Sequence, residues 1–298
     1  MTSRSGAPVV VAVDGSASAL DAVRVASREA TARNRPLRVV HALSWPLLGA
    51  ALGALAGSPP EAGPRSHAQD VVAEAVDEAR KVSAEVDVVG EVVEGSPTPV
   101  LLRESRHAAL LVLGSRGLGG FAELLVGSSA VQVSARADCP VLVVRGEARA
   151  DGPVVVGVDG SALSTEAIGF AFEEAALRNT DLVAVHSWLY PTPVGPGEVL
   201  PPAYDVDALV EEEERALAEA VAGWSQRYPQ VRVRRRLAQG AAARMLVEES
   251  ASAQLTVVGA HGRGAWGGLF LGSVSHAVLH HARSPLAIVR HPRDADHG

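Results

Sequence analysis

One cysteine, Cys139, is present in 298 residues. No internal disulfide can form, and a reducing compartment, the cytoplasm, is the expected location. Lysine is as scarce: Lys81 stands alone, in the polar pattern EAVDEARKVSAE. Every glycine-rich loop therefore lacks a lysine, which argues against a Walker-type phosphate loop and Schiff-base chemistry. Long apolar runs are missing as well. The segment WPLLGAALGALAG, Trp45 to Gly57, falls well short of the roughly 20 residues that span a bilayer, so we expect an apolar loop there and no membrane partner. The opening MTSRSGAPVVVAVDG shows no secretory leader pattern; it runs directly into a Val-rich strand and a turn. An excess of basic charge is also absent. The net charge is −7, which argues against a nucleic-acid partner.

What is present is an ordinary globular composition, 47% hydrophobic and 20% charged, in a chain long enough for two domains of roughly 150 residues. The sequence is written twice. PVVVAVDGSA, Pro8 to Ala17, returns as PVVVGVDGSA, Pro153 to Ala162, a shift of 145 residues. The same shift carries Asn34 to Asn179, His41 to His186, Gly95 to Gly240, Gly114 to Gly259, Ser128 to Ser273 and Pro140 to Pro285. We expect domains at 1–146 and 152–292, joined through RGEARADG at about residues 146–152. A site carried by one half is expected in the other.

Each half alternates strand and helix. VVVAV ends at Asp14-Gly15, the pattern of a buried parallel strand. Ser16 is placed to cap a helix through ALDAVRVASREATARN, whose Leu20, Val23, Ala26 and Ala30 share one face. The strand LRVVHAL, a Pro/Gly-rich loop at about 45–66, a helix through VVAEAVDEARKV, the strand EVDVVGEVV, a helix opened by Gly95-Ser96-Pro97, the strand ALLVLG, the helix GSSAVQVSARA and the strand VLVVR follow. Five such alternations predict a doubly wound α/β domain with a mostly parallel sheet. Ligands of such sheets bind beyond the carboxyl ends of the strands, where strand order reverses.

Loops at that edge carry the candidate chemistry. Gly114 and Gly117 follow the fourth strand, Gly127-Ser128 precede or open the fourth helix, and the spacing Gly-x2-Gly-x9-Gly-Ser recurs at Gly259, Gly262, Gly272 and Ser273. Glycine removes the Cβ and permits φ > 0, so backbone N–H groups can turn inward and approach a phosphate closely. A helix N-terminus adds orphan donors and the positive dipole end, and serine adds a hydroxyl. The alternative for one copy alone is a plain loop with a serine N-cap. Asp14 and Asp159, which end the first strands, read either as turn residues or as acceptors for ribose or adenine, with a role in holding a divalent ion as a further option. His41 and His186, on the second strands, read as packed, hydrogen-bonded histidines rather than catalysts.

With these motifs in place, the chain resembles a tandem universal stress protein over nearly its whole length, and each half carries the Gly-x2-Gly-x9-Gly-Ser motif of that family's ATP-binding branch. The resemblance implies a five-stranded sheet in the order 3-2-1-4-5 in each half, of the adenine nucleotide alpha hydrolase type, and ATP, with Mg2+, as the ligand. Carried over by position, it implies contacts from Asp14 and Ala42 to adenine and ribose, and from Gly114, Arg116, Gly117, Gly127, Ser128 and Ser129 to ribose and triphosphate. In the second half the matching residues are Asp159, Ser187, Gly259, His261, Gly262, Gly272, Ser273 and Val274. Arg116 against His261 and Ser129 against Val274 depart from equivalence, so the two sites need not bind equally. The family also suggests a homodimer; the last strands VLVVR and LAIVR can pair edge to edge, between chains or within the tandem.

Other patterns are set aside. GLGGFA and GRGAWGG are fragments of a dinucleotide fingerprint but lie outside the first βαβ unit, and no acidic residue ends the second strand. His276, His280 and His281 have i, i+4 spacing, yet no Glu or Cys completes a zinc set. Glu211 to Glu214 and Arg234 to Arg236 read as solvated faces. Cys139 is matched by Ser284 and reads as structural. No Ser-His-Asp order, nucleophile elbow or carboxylate pair is found. The expectation is a cytoplasmic, ATP-binding stress-response regulator. Its rivals are a slow ATPase or autokinase using Ser128 or Ser273 and a nucleotide-free interaction module.

Overall fold

The computed structural model describes residues 6–44, 62–117, 126–189, 205–262 and 270–290. The apolar segment Trp45 to Gly57 and the inner parts of both glycine loops, 118–125 and 263–269, lie outside the described residues. Two compact units emerge. The first holds residues 6–145 with 270–271 and 285–290; the second holds 146–262 and 272–284.

In the first unit the chain runs β1 (Val9–Val13), α1 (Ala17–Ala32), β2 (Leu37–Leu43), α2 (Ala62–Val82), β3 (Val88–Glu94), α3 (Pro97–Ser105), β4 (Leu110–Gly114), α4 (Ser128–Arg136) and β5 (Val141–Val144). These strands lie in the order β3-β2-β1-β4-β5, all parallel, with Val9 opposite both Leu37 and Leu110. β1 is thus the point where strand order reverses, and its end lies beside that of β4. Val9, Val10 and Val11 have no solvent exposure, as expected of a central strand covered on both faces; each contributes about 1.5–3 kcal/mol by burial.

The second unit repeats the plan as β6 (Val154–Val158), α5 (Ala162–Leu177), β7 (Leu182–Trp188), α6 (Val206–Arg227), β8 (Val233–Gln239), α7 (Ala242–Glu249), β9 (Leu255–Gly259) and α8 (Ser273–His281). Its strands run parallel in the order β8-β7-β6-β9. The last strand, β10 (Leu286–Val289), groups with the first unit. There it pairs antiparallel with β5, Leu286 opposite Val143 and Ile288 opposite Val141.

Local chemistry sets the helix ends. Ser16 Oγ accepts from Ala19 N–H at 3.2 Å, and Ser161 Oγ from Ser164 N–H at 3.2 Å, caps worth about 1 kcal/mol each. Beyond the other ends, Asn34 (φ 51°) and Asn179 (φ 50°) take the left-handed conformation, which asparagine tolerates because its short polar side chain bonds locally. α2 begins at Ala62, inside the stretch expected to be loop up to about residue 66. Pro64 falls in its first turn, where the missing N–H costs nothing. Among the described residues no helix is long and apolar enough to cross a membrane.

Candidate functional site

A cavity of about 390 Å3 opens at the reversal point of the first unit. Asp14 leaves the end of β1 into a tight turn: Gly15 has φ 86°, and Asp14 Oδ1 accepts from Ser16 N–H at 3.0 Å. The loop after β4 is drawn onto the start of α1. Ser18 Oγ accepts from Arg116 N–H at 3.4 Å, and Ser16 Oγ donates to Arg116 O at 3.5 Å. Gly114 allows this approach, since a Cβ there would lie 2.7 Å from Ser18 O. A Cβ on Gly117 would lie 2.5 Å from Asp14 Oδ2. The far end of the loop returns to its start, where Gly127 N–H donates to Ser115 O at 2.8 Å.

Gly127 is the N-cap of α4, with φ −69° and no side-chain capping bond. Orphan N–H donors in the first turn of such a helix favour an anion. Val40 and Ala42 from β2 and Pro97 and Leu101 from α3 form an apolar wall. All eight first-half residues expected at the site, Asp14, Ala42, Gly114, Arg116, Gly117, Gly127, Ser128 and Ser129, line this one cavity.

The second unit builds a cavity of about 560 Å3 from the same parts. Asp159 Oδ1 accepts from Ser161 N–H at 2.9 Å and from Ser161 Oγ at 2.7 Å, and Gly160 has φ 74°. A Cβ on Gly262 would lie 2.6 Å from Asp159 Oδ2. Gly272 N–H donates to Ala260 O at 2.9 Å and caps α8, again without a side-chain bond. Asp159, Ser187, Gly259, His261, Gly262, Gly272, Ser273 and Val274 all line it. The Ser187 hydroxyl is already engaged, donating to Gly240 O at 2.5 Å.

Two expectations are corrected. None of the motif glycines has a left-handed φ; that role falls to Gly15 and Gly160. Gly114, Gly117 and Gly262 are there for space, where a Cβ would strike a carbonyl or a carboxylate. The second is the serine N-cap given as the alternative for one copy alone: Ser128 and Ser273 are the first helical residues and not N-caps. The histidines are packed as expected, with His41 Nδ1 bonded to Val13 O at 2.9 Å and His186 Nδ1 to Val158 O at 2.6 Å. Glu213, expected on a solvated face, instead bonds His186 Nε2 at 2.9 Å. Its signal is its place on the inner side of α6, which the run Glu211 to Glu214 conceals. Leu101 and Leu246 were not anticipated, although the 145-residue shift relates them.

Both cavities fall within the usual size of small-molecule sites. Each offers a carboxylate beside an uncapped helix start. That donor set suits a ligand that is anionic at one end and carries hydroxyl or amino donors at the other.

The sequence model of the universal stress protein family matches residues 7–145 and again 152–290. The chain belongs to the universal stress protein family. Family membership supports a role in stress response. Among curated universal stress proteins, one from Mycobacterium tuberculosis is 39% identical over 297 residues, covering 95% of this chain and 96% of the relative. Another, from Mycolicibacterium smegmatis, is 37% identical over 294 residues, with the same coverage. A crystal structure of a universal stress protein from Archaeoglobus fulgidus shares the fold, with a TM-score of 0.69 at 17% identity over 97% of this chain and 99% of that one. The tandem organisation therefore extends over whole relatives, and the two cavities belong one to each universal stress protein repeat.

Proposed function

We propose that this universal stress protein is a cytoplasmic, ATP-binding regulator with one nucleotide site per repeat. The observation that carries the reading is the repeated pairing of an uncapped helix start, Gly127 or Gly272, with a carboxylate, Asp14 or Asp159, in a cavity of ligand size. Phosphates would be held at the first turns of α4 and α8, with Ser128, Ser129 and Arg116 adding donors in the first site and Ser273 and His261 in the second. The aspartates would accept from ribose or adenine, and the apolar walls around Leu101 and Leu246 would cover the base. Bound nucleotide, with Mg2+, supplies phosphate charge to the helix starts. The protein's residues bind and orient it, and the occupied state is the signal, provided it is favoured in one conformation over another. A homodimer of the tandem chain is part of this proposal.

The test is to denature freshly purified protein and quantify the released nucleotide per chain by anion exchange, then to titrate the refolded or nucleotide-free chain with Mg-ATP. Close to two ATP per chain supports the reading. ADP alone, formed by pure protein from added ATP, transfers support to a slow ATPase. A chain that carries no nucleotide and ignores Mg-ATP overturns both.

A further inference from the structure

The two cavities differ most in chemistry at one repeat position. Arg116 in the first is exposed. Its counterpart His261 in the second is only 8% exposed, and its Nε2 is enclosed with no hydrogen-bond partner among the described residues. Enclosed polar atoms are nearly always paired, so an orphan at a cavity wall points to a partner that arrives with a ligand. A second difference acts in the same direction. Val274 replaces Ser129 and Ser275 replaces Ala130, but the Ser275 hydroxyl donates to Gly259 O at 2.5 Å, so the hydroxyl at the second helical position is not replaced by one open to a ligand.

We infer that His261 is a ligand contact which makes the second cavity's affinity for a phosphate-bearing nucleotide fall with rising pH, while Arg116 leaves the first cavity without that dependence. This rests on the nucleotide reading above. Imidazole is the side chain that ordinarily changes charge between pH 5 and 8, whereas guanidinium stays charged throughout. A protonated ring donates to a phosphate oxygen from a cationic group, and a neutral ring offers at most one uncharged N–H. The other titratable groups on the surrounding elements are accounted for. Asp159, which follows β6, lines the cavity; α5 lines it with Ser164, and His186 of β7 is held between Val158 O and Glu213. On α8, His276 packs its ring against His280, with centroids 4.6 Å apart. α7 places only Ala242 and Leu246 in the wall, and β9 contributes no titratable side chain to it among the described residues.

The experiment is calorimetry of Mg-ATP binding at pH 6, 7 and 8, each in two buffers of different ionisation enthalpy. It compares the unsubstituted chain with His261→Gln and His261→Arg. ATP's own terminal phosphate titrates in this range in all three chains and cancels in the comparison. One of the two sites in the unsubstituted chain should weaken by up to about tenfold per pH unit relative to the other, with more proton uptake than in His261→Gln. In His261→Arg both sites should follow the same pH profile. Equal proton uptake in the unsubstituted and His261→Gln chains, or a pH-weakened site that survives in His261→Arg, would overturn the inference while leaving nucleotide binding intact. No binding by the unsubstituted chain at any pH overturns the nucleotide reading itself, and this inference with it.

Discussion

Asp14 and Gly117 share one small space: a methyl group on Gly117 would lie 2.5 Å from Asp14 Oδ2, and the same relation recurs at 2.6 Å between Asp159 and Gly262. One carboxylate oxygen closes the turn after the strand, and the other lies against the glycine loop. The aspartate serves as a turn residue and a cavity residue at once, so the two readings of the Asp-Gly pair are not exclusive.

Gly117→Ala should therefore act on the site and not on the fold. The added methyl pushes a movable carboxylate, so first-site affinity for Mg-ATP should fall by about tenfold or more, a loss of about 1.4 kcal/mol or above. Gly114→Ala should do the reverse. Its methyl meets the Ser18 carbonyl in the α1 backbone, and overpacking of that kind costs about 1–3 kcal/mol. Urea unfolding and calorimetry on the two variants separate the effects; equal stability losses would refute the distinction. A methyl on Gly127 would make only ordinary contacts, 3.8 Å or more, and its φ suits any residue, so Gly127→Ala should fold normally.

Ending the chain at Ser284 should damage the first unit although the cut lies far along the sequence. It removes β10, which pairs with Val141 to Val143, and leaves β5 as an open edge that invites strand addition from another chain. A lower melting temperature and a rise in light-scattering mass are expected. An unchanged melt with a monodisperse chain would contradict the pairing.

Glu213→Ala removes the partner of a buried histidine nitrogen. The cost should be about 1–3 kcal/mol, against less than about 0.5 kcal/mol for its exposed neighbour in Glu212→Ala. Matched denaturant titrations decide it; equal costs would place Glu213 back on the solvated face.

Gly169→Ala tests the packing of α5 on α6. Its Cβ would lie 2.5 Å from the Trp224 ring, so the indole must move, at about 1–3 kcal/mol. A shifted tryptophan emission together with a lower unfolding midpoint is expected, and an unchanged spectrum would show that the helices accommodate the methyl.

The sheet was legible because its signals are local and doubled. Val-rich runs mark buried strands, Ser16 and Ser161 mark helix starts, and the 145-residue shift reports each of them twice. The same shift pairs the sixteen candidate residues, which line the two cavities. What escaped was whatever depends on three-dimensional proximity. A glycine chosen for space, such as Gly117, looks the same in sequence as one chosen for φ, such as Gly15. In Gly-Ser-Ser the serine is the better cap by propensity, yet the chain places Gly127 there. Glu213 lies 27 residues from His186, with nothing in the acidic run to distinguish it from its neighbours.

α4 and α8 are each nine residues long and begin without a side-chain cap, whereas α1 and α5 cap themselves. Helices so short hold little order by themselves in water, and their stability is borrowed from what they touch. A ligand bound at their first turns would change how often these helices fray. The message such a protein passes on would be written in hydrogen-exchange rates along two short helices, legible to a partner that prefers the ordered or the frayed form.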